Sequence, residues 1–368
     1  MQKKRVTGFD KFMFLISLLI AVGMFLGIRA GVSDPRQHMV IAFFGLAYPF
    51  FLLANILILC YWLFRTKWVI AALTVIVICY GGHTLIATFG FFGNKGELQK
   101  ENESHIRVMT YNVHQFTPYG EEITLTMKEK MLDVVFDQNP DIICFQEFYT
   151  RKKGPYDIID SLKRFLNINY YYFVPSQESE KESIGMAIFS RFPIQKTGRI
   201  KFTGVTGNES IYVDLKIKDK IVRVYNVHLQ SISFEKEDYS YLDQVKDMDP
   251  KMGSSKRILR MLKGAFQKRS EQVDIMKAHM RACETPFVIA GDFNDTPASY
   301  AVTKITDSLN NAFIKKGQGF GKTYNGKFPN FQIDYIASTK DIEVVNYRII
   351  EAKLSDHFPV RSDLRLKN

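Results

Sequence analysis

Three long apolar stretches occupy the first quarter of the chain. They cover residues 12–28, 39–64 and 68–92, and the first contains no charged residue. A helix of about 20 apolar residues crosses the hydrocarbon core of a bilayer. The pattern therefore predicts three transmembrane helices. A cleaved signal peptide is a weaker interpretation of the first stretch, because two further apolar stretches follow it.

The basic residues that flank these stretches predict an orientation. Six lysines and arginines lie before residue 12 or at 65–67, whereas only Arg29 and Arg36 lie between the first and second stretches. Basic residues favour the cytoplasmic side of short loops. We therefore expect an integral membrane protein, in the inner membrane if the organism is bacterial, with the rest of the chain on the non-cytoplasmic side.

The remainder of the chain is predicted to form one α/β domain. A polar segment at 94–104 predicts a linker between a membrane anchor, residues 1–93, and a folded domain, residues 105–368. Short apolar runs alternate with stretches of helical periodicity, which is typical of α/β proteins. The predicted helices cover 127–138, 156–166 and 256–283, and residues 231–255 predict a long loop. The predicted strands cover 105–113, 141–146, 170–174, 185–190, 211–217, 221–227, 287–290, 331–337, 344–350 and 358–360.

Charge is distributed unevenly along the chain. The whole chain has 49 basic and 38 acidic residues. Residues 1–100 hold 10 of the basic and 3 of the acidic residues, so residues 101–368 have a net charge of only +4. Tight electrostatic binding of nucleic acid usually needs a concentrated basic patch, so the composition argues against it. The four cysteines show no spacing of a zinc site or a disulfide framework.

The stretch with the clearest chemical signal is TPFVIAGDFNDTP at 285–297. A short apolar run predicts a buried strand, and Asp292 and Asn294 follow at its carboxyl end. Open α/β sheets place their chemistry at such ends. The carboxylate can orient or deprotonate a water, and the amide can donate to a phosphoryl oxygen. An ordinary turn is the alternative, because Asp and Asn also favour turns.

Several other predicted strand ends carry an acid, an amide or an imidazole. Each has an ordinary explanation alone, such as a turn, an exposed charge or a buried histidine. Asp334 is the exception, because a carboxylate between Ile333 and Tyr335 is costly to bury without a partner. Together the residues favour hydrolysis of a phosphoester. The full set is Asn112, Glu147, His228, Asp292, Asn294, Asp334, Asp356 and His357.

The chemistry of these side chains suggests a division of roles. Glu147 offers a carboxylate oxygen to Mg²⁺, which prefers oxygen ligands, and Mn²⁺ is an alternative ion. His357 can act on the transferred phosphate or on a proton, with its ring held by Asp334. Hydrogen-bond donors to the developing negative charge are Asn112, Asn294 and His228.

Seven motifs occur in an order that resembles the endonuclease/exonuclease/phosphatase superfamily, the DNase I-like proteins, in a membrane-anchored bacterial form. The resemblance covers residues 105–366 and implies a four-layer α/β sandwich and a divalent-metal-dependent hydrolase. The motifs are MTYNV at 109–113, FQE at 145–147, GMAIFSRFPI at 185–194, NVHL at 226–229, GDFN at 291–294, IDYI at 333–336 and SDHFPV at 355–360.

The resemblance also implies roles for individual residues. Asn112 and Glu147 match the metal-binding positions, with Asp356 near the metal. His357 matches the final catalytic histidine and Asp334 its orienting partner. The residues that position the nucleophile and bind phosphate are Asp292, Asn294 and His228. A structural pair on the preceding helix is formed by Arg269 and Gln272.

The substrate remains open at the level of the sequence. A phosphodiesterase of the nuclease or sphingomyelinase type is the main expectation, and nucleic acid, a phospholipid or a small organic phosphate would each fit. The alternatives are a phosphomonoesterase of the inositol-phosphatase type and a non-catalytic membrane scaffold that keeps the fold. The sequence gives no indication of an oligomeric state.

Overall fold

The structure, a computed structural model, describes residues 6–91, 93–117, 124–202, 208–232, 252–326 and 331–367. Five helices form its N-terminal part. They are α1 (Gly8–Arg29), α2 (Met39–Leu46), α3 (Tyr48–Phe64), α4 (Trp68–Tyr80) and α5 (Gly82–Thr88).

Only α1 is a single helix long and apolar enough to cross a membrane, among the residues that the structure describes. The second predicted span is bent by 61° between α2 and α3, and the third by 69° between α4 and α5. Each bent pair meets the length and hydropathy criteria only when its two helices count as one span. The described helices therefore support one span directly, and the prediction of three is not confirmed.

The rest of the chain folds into strands and helices that alternate along the sequence. The helices are α6 (Leu125–Gln138), α7 (Ile158–Leu166), α8 (Met252–Arg281), α9 (Tyr300–Thr306) and α10 (Ala312–Lys316). The strands are β1 (Phe89–Gly90), β2 (Ile106–Asn112), β3 (Ile142–Arg151), β4 (Tyr170–Glu178), β5 (Glu182–Ser190), β6 (Ile194–Lys201), β7 (Glu209–Ile217), β8 (Lys220–His228), β9 (Phe287–Asp292), β10 (Asn310–Asn311), β11 (Gly319–Phe320), β12 (Asp334–Ser338), β13 (Ile342–Val344), β14 (Arg348–Ile349) and β15 (Val360–Leu366).

Two mixed sheets pack face to face and form the centre of this domain. One has the strand order β13-β15-β2-β3-β5-β4, with β14 also paired to β15, and the other has the order β10-β12-β9-β8-β7-β6. Apolar side chains from both sheets share one buried cluster, which includes Ile142, Cys144, Val224 and Ala290. Such shared burial is the main stabilising contribution to a sandwich.

Helices cover the outer face of each sheet. Met131 and Leu162, on α6 and α7, pack on the first sheet, while Val273 and Val302, on α8 and α9, pack on the second. The layers are thus helix, sheet, sheet and helix. The predicted four-layer α/β sandwich is confirmed.

Some elements differ from the sequence-based prediction. β6 was not predicted because it is an exposed edge strand with the polar sequence IQKTGRIK. α9 was also not predicted, because it is only seven residues long and begins at the capping residue Ser299. The predicted strand at 331–337 starts only at Asp334, and the one at 344–350 contains only the last residue of β13 and the two-residue strand β14. Helix α8 begins at Met252, and residues 233–251 of the predicted loop lie outside the described residues.

The N-terminal helices pack directly on this domain. Ala42 on α2 lies in one apolar cluster with Ile258, Leu262 and Phe266 of α8. The side chain of Arg36 forms an ion pair with Asp274 of α8, with 2.7 Å between Nη2 and Oδ2. This packing holds α2 and the residues before it against α8.

Residues 94–98, inside the predicted linker, are also bound to the domain. The guanidinium of Arg107 donates to the carbonyl oxygens of Leu98 and Glu97, and that of Arg361 donates to Glu97 at 2.6 Å. The backbone of Asn94 bonds to Lys316 and Tyr347. This part of the segment is therefore held against the folded domain along its length.

Candidate active site

Strand register brings three of the predicted side chains to the same level of the second sheet. β8 and β9 are parallel, and His228 is paired with Asp292. β9 and β12 are antiparallel, and Asp292 is paired with Asp334. Paired residues on neighbouring strands point to the same face of a sheet. All three side chains therefore face the seam between the two sheets.

The first sheet contributes Asn112 and Glu147 to the same seam. Asn112 ends β2, and a β-bulge lies in β3 between Phe145 and Phe148. Within this bulge Glu147 has a φ of 51°, in the left-handed region that non-glycine residues seldom adopt. Bulges redirect side chains near functional sites. The Glu147 carboxylate lies 3.4 Å from the amide nitrogen of Asn112 and stays partly exposed in the cleft.

The Asp292 carboxylate is the centre of the hydrogen-bond network. It is buried and accepts from the Asn112 amide at 3.1 Å, across the two sheets. The backbone and side-chain amides of Asn294 donate to it at 2.8 and 3.1 Å. Burial raises the pKa of Asp292 to about 6, although the nearby histidines oppose this shift. The carboxylate is thus poised to exchange a proton near neutral pH.

His357 and Asp334 form a buried pair beside Asp292. Nδ1 of His357 lies 3.0 and 3.2 Å from the two carboxylate oxygens of Asp334, and Nε2 lies 3.7 Å from Asp292 Oδ2. Burial alone would lower the pKa of His357, but the charges of Asp334 and Asp292 raise it well above its usual range. The ring is therefore held in one orientation as an imidazolium.

His228 has a free ring nitrogen at the other side of the cleft. Its Nε2 is buried and has no hydrogen-bond partner among the described residues. This atom lies 3.7 Å from Asp292 Oδ2 and 3.9 Å from Glu147 Oε1. A buried polar atom without a partner is costly, so its position favours contact with a group that enters the cleft.

Asp356 is joined to the cleft through its neighbour. The Ser355 hydroxyl donates to the backbone oxygen of Asn112 at 3.0 Å and lies 3.2 Å from Asp356 Oδ1. The same hydroxyl accepts from the backbone N–H of His357. Ser355 thereby fixes the SDH turn against the end of β2.

One set of side chains in the described part of the chain is placed to hold a metal ion. Ligand atoms of Asp292, Asp334 and His357 lie within 4.8 Å of one another. Part of the hydrogen-bonding capacity of this set is already used, because Nδ1 of His357 is bonded to the carboxylate of Asp334. A second set is predicted from the sequence: the carboxylates of Glu147 and Asp356 with the amide oxygen of Asn112, which in this structure accepts from the backbone N–H of His114 at 3.1 Å. It offers only oxygen atoms, the ligands that Mg²⁺ prefers.

Structural support comes from residues on both sides of the cleft. Arg269 of α8 donates to the backbone oxygens of Gln230 and Asn294 and forms an ion pair with Asp295, with 3.0 Å between Nε and Oδ2. Gln272 accepts from the backbone N–H of Gln230 at 2.8 Å. These contacts fix the loops that follow β8 and β9.

Sequence reasoning missed three further residues that shape the site. Gln146 and Asn226 are bonded to each other across the sheets at 2.6 Å, and both are buried. The ring of Tyr324 packs edge-on against the ring of His357, with 5.6 Å between centroids. Gln146 and Asn226 lie inside the motifs FQE and NVHL, so their position in these motifs was a signal that could have identified them. Tyr324 lies in no motif and gave none.

The stacked sheets and the strand-end cluster define the class of DNase I-like four-layer sandwiches. The chain belongs to the endonuclease/exonuclease/phosphatase family, whose model matches residues 109–357. Members of this family are typically hydrolases that act on phosphoesters. Residues 10–88 match a domain of unknown function (DUF8431). No match was found among curated proteins.

Solved structures share the fold at low identity. An endonuclease/exonuclease/phosphatase from Bacteroides vulgatus superposes with a TM-score of 0.53 at 18% identity, covering 72% of this chain and 100% of that one. The one from Beutenbergia cavernae gives 0.51 at 19%, covering 72% of each chain. The human Nocturnin catalytic domain with a bound sulfate anion gives 0.50 at 17%, covering 72% and 96%.

Proposed function

We propose that this protein is a membrane-anchored, metal-dependent phosphodiesterase that hydrolyses its substrate by attack of a water molecule. The observation that supports this best is the network around Asp292. Its carboxylate accepts amide hydrogen bonds from Asn112 and Asn294 and lies 3.7 Å from two imidazole nitrogens, those of His228 and His357. One basic group and several donors around one cleft match what phosphoryl transfer requires.

The metal is assigned to Glu147, Asn112 and Asp356. The bulge directs Glu147 into the cleft, and its carboxylate is partly exposed. It can therefore coordinate a metal ion without breaking a buried ion pair. A bound Mg²⁺ or Mn²⁺ would neutralise phosphoryl charge and polarise the ester. The set of Asp292, Asp334 and His357 suits Mg²⁺ less well, because imidazole favours transition metals. The ring of His357 is also already bonded to Asp334.

The remaining residues supply the acid–base and donor functions. Asp292 orients the attacking water and accepts its proton. His357, held as an imidazolium by Asp334, and the free Nε2 of His228 face the phosphoryl oxygens, where negative charge develops. The Asn294 side-chain amide positions Asp292, and because it also donates to the backbone oxygen of Leu229 at 3.0 Å, the predicted donation to phosphate would require that bond to open.

Membrane anchoring is supported by the surface of the N-terminal helices. Of the 33 large hydrophobic residues exposed in the described part of the chain, 27 lie between Val6 and Leu98. A soluble surface seldom carries apolar patches of that extent, whereas lipid covers them at no cost. The ion pair of Asp10 and Arg65 places the start of α1 and the end of α3 on the same side, opposite the folded domain.

Hydrolysis of bis-p-nitrophenyl phosphate by the full-length protein in detergent tests the proposed chemistry. We expect activity with Mg²⁺ or Mn²⁺ that EDTA abolishes and that falls by about 10³-fold in Asp292→Asn and His357→Gln, as loss of a catalytic base or donor does elsewhere. Glu343→Gln, on an exposed edge strand, is the matched control and should leave the rate unchanged. Equal rates in all four proteins would refute the assignment.

A further inference from the structure

We propose that the substrate is a phosphodiester lipid of the same membrane, which reaches the cleft from the side that faces the anchor. This inference rests on the proposed function and adds the class of substrate to it. Three features of the described residues carry it: a contact between the anchor and the catalytic loop, an exposed aromatic ring of the anchor that packs on the segment next to the cleft, and a basic helix face.

The catalytic loop touches the anchor. Ala298 lies four residues after Asn294 and is buried in a cluster with Met24, Tyr48 and Leu52 of the N-terminal helices. Ala298 also lies beside Gly45 of α2, because a Cβ atom built on Gly45 would be 3.4 Å from the backbone oxygen of Ala298. The rim of the cleft next to Asn294 is therefore in direct contact with the helices that carry the apolar surface.

An exposed aromatic ring of the anchor contacts the segment that leads to the catalytic histidine. Phe50, near the start of α3, is 57% exposed, and its ring packs against that of Phe331 with 6.3 Å between centroids. The backbone oxygen of Phe331 accepts from the N–H of Tyr324 at 3.0 Å. Tyr324 in turn packs on His357. An acyl chain that lies along the exposed ring of Phe50 would lie beside the segment that leads to Tyr324 and the cleft, since Phe331 beneath it is only 6% exposed.

A basic face of α8 lies beside the same rim. Residues 252–270 contain no acidic residue, and Lys256, Arg260 and Lys263 are exposed. The opposite face of this helix packs on α2 through Ile258 and Phe266. Lysines and arginines close to a bilayer attract phosphate headgroups, by about 1 kcal/mol each. Apolar and basic groups on one rim match an amphiphile that carries a phosphate.

A soluble phosphoester would use neither the exposed ring of Phe50 nor the basic face. In the inferred reaction the oxygen of water bonds to phosphorus and one phosphorus–oxygen ester bond breaks. The proton of the water passes to Asp292, and the leaving oxygen gains a proton and departs as an alcohol. The products are one phosphomonoester and one alcohol, and no other reactant is needed.

Full-length protein in phosphatidylcholine vesicles provides the test. Headgroup-labelled sphingomyelin, phosphatidylglycerol and phosphatidylcholine, the carrier lipid itself, are offered either in the vesicles that contain the enzyme or in separate vesicles. We expect hydrolysis of at least one lipid, at least about tenfold faster in shared vesicles, since the reactants then meet at high effective concentration. Bis-p-nitrophenyl phosphate in the same samples reports the chemistry independently.

Two phenylalanines at opposite ends of α3 give a matched pair of variants. Phe50→Ala should lower lipid hydrolysis by about tenfold, the effect of about 1.4 kcal/mol, and change hydrolysis of bis-p-nitrophenyl phosphate by less than about twofold. Phe64→Ala, which is also exposed, should change neither rate.

The outcomes separate the two proposals. If bis-p-nitrophenyl phosphate or plasmid DNA is hydrolysed while all three lipids stay intact, the lipid inference is overturned and the proposed function stands. The same holds if Phe50→Ala and Phe64→Ala affect lipid hydrolysis equally. If no phosphoester is hydrolysed in the presence of Mg²⁺ or Mn²⁺, the proposed function itself fails.

Discussion

Asp334 illustrates how much the sequence neighbours of a single residue can reveal. A carboxylate between apolar neighbours in a strand needs a partner, and the fold supplies one in His357, 23 positions further along the chain. The need for a partner follows from the cost of burying a charge. The identity of the partner does not, because it depends on how β12 and the SDH turn meet in space.

Replacement of Asp334 by Asn keeps the shape of the side chain and removes its charge. We expect kcat to fall by about 10²- to 10⁴-fold with a much smaller change in KM, because an amide no longer holds His357 as an imidazolium. Steady-state kinetics on bis-p-nitrophenyl phosphate measures both constants. A kcat within about threefold of the original at neutral pH would contradict the orienting role.

Metal binding distinguishes the two candidate ligand sets. Glu147→Gln should weaken binding of Mn²⁺ by at least about tenfold, because it removes a charged ligand that amide oxygen replaces poorly. Asp334→Asn should change that affinity by less than about threefold on the same reasoning. Electron paramagnetic resonance of Mn²⁺ titrated into the full-length protein gives both values, and the reverse order would assign the ion to Asp292, Asp334 and His357.

At the scale of elements, β9 and its neighbours decide the position of the site. The apolar run predicts an end of this strand at Gly291, whereas the strand continues through Gly291 to Asp292. Gly291 has a φ of 146°, and a Cβ atom there would lie 2.0 Å from the backbone oxygen of Val227 on β8. The glycine thus permits the close approach of two strands whose ends carry His228 and Asp292.

Gly291→Ala should therefore be severe. We expect the free energy of unfolding to fall by about 3 kcal/mol or more and hydrolysis to be lost, because the two strands must separate or the backbone must take a strained conformation. Urea denaturation followed by far-ultraviolet circular dichroism measures the first effect. Gly264→Ala, in α8 where nothing lies within 4 Å of a Cβ atom, is the control and should be neutral or slightly stabilising.

Most of the elements could be predicted from periodicity, and the way they combine could not. The strands with two buried faces, such as β2 and β9, were clear as short apolar runs. The bulge that turns Glu147 into the cleft has no local sequence signal, since its left-handed conformation is imposed by pairing with β5. The hydrogen bond between Gln146 and Asn226 could not be predicted either, because it forms between strands of two different sheets.

At the scale of the whole molecule, a buried ion pair joins the start of the domain to its end. Arg107 on β2 and Asp363 on β15 are each 1% exposed, with 2.6 Å between Nε and Oδ1. Asp363→Asn should lower the free energy of unfolding by about 3–5 kcal/mol, because it leaves a buried guanidinium without its counter-charge. Urea denaturation measures the loss. Glu343→Gln, which breaks the exposed pair with Arg365, should cost less than about 1 kcal/mol.

The side of the membrane that carries the domain is a further expectation at this scale. The charge distribution places the folded domain on the non-cytoplasmic side if α2–α3 and α4–α5 each complete one crossing. Alkaline phosphatase fused to the C-terminus should then be active, and green fluorescent protein at the same position should be dark. The opposite pair of signals would place the domain in the cytoplasm.

The binding of residues 94–98 to the domain limits how far the protein can reach. A free segment of the 11 residues 94–104 would let its ends separate by about 18 Å on average. The bonds from Arg107 and Arg361 shorten the free part of that segment. If the N-terminal helices lie in a bilayer, as we propose, the cleft is held at a fixed height above it. Encounters with molecules in the same membrane then depend on lateral diffusion within a plane, and their frequency scales with surface density rather than with concentration in solution.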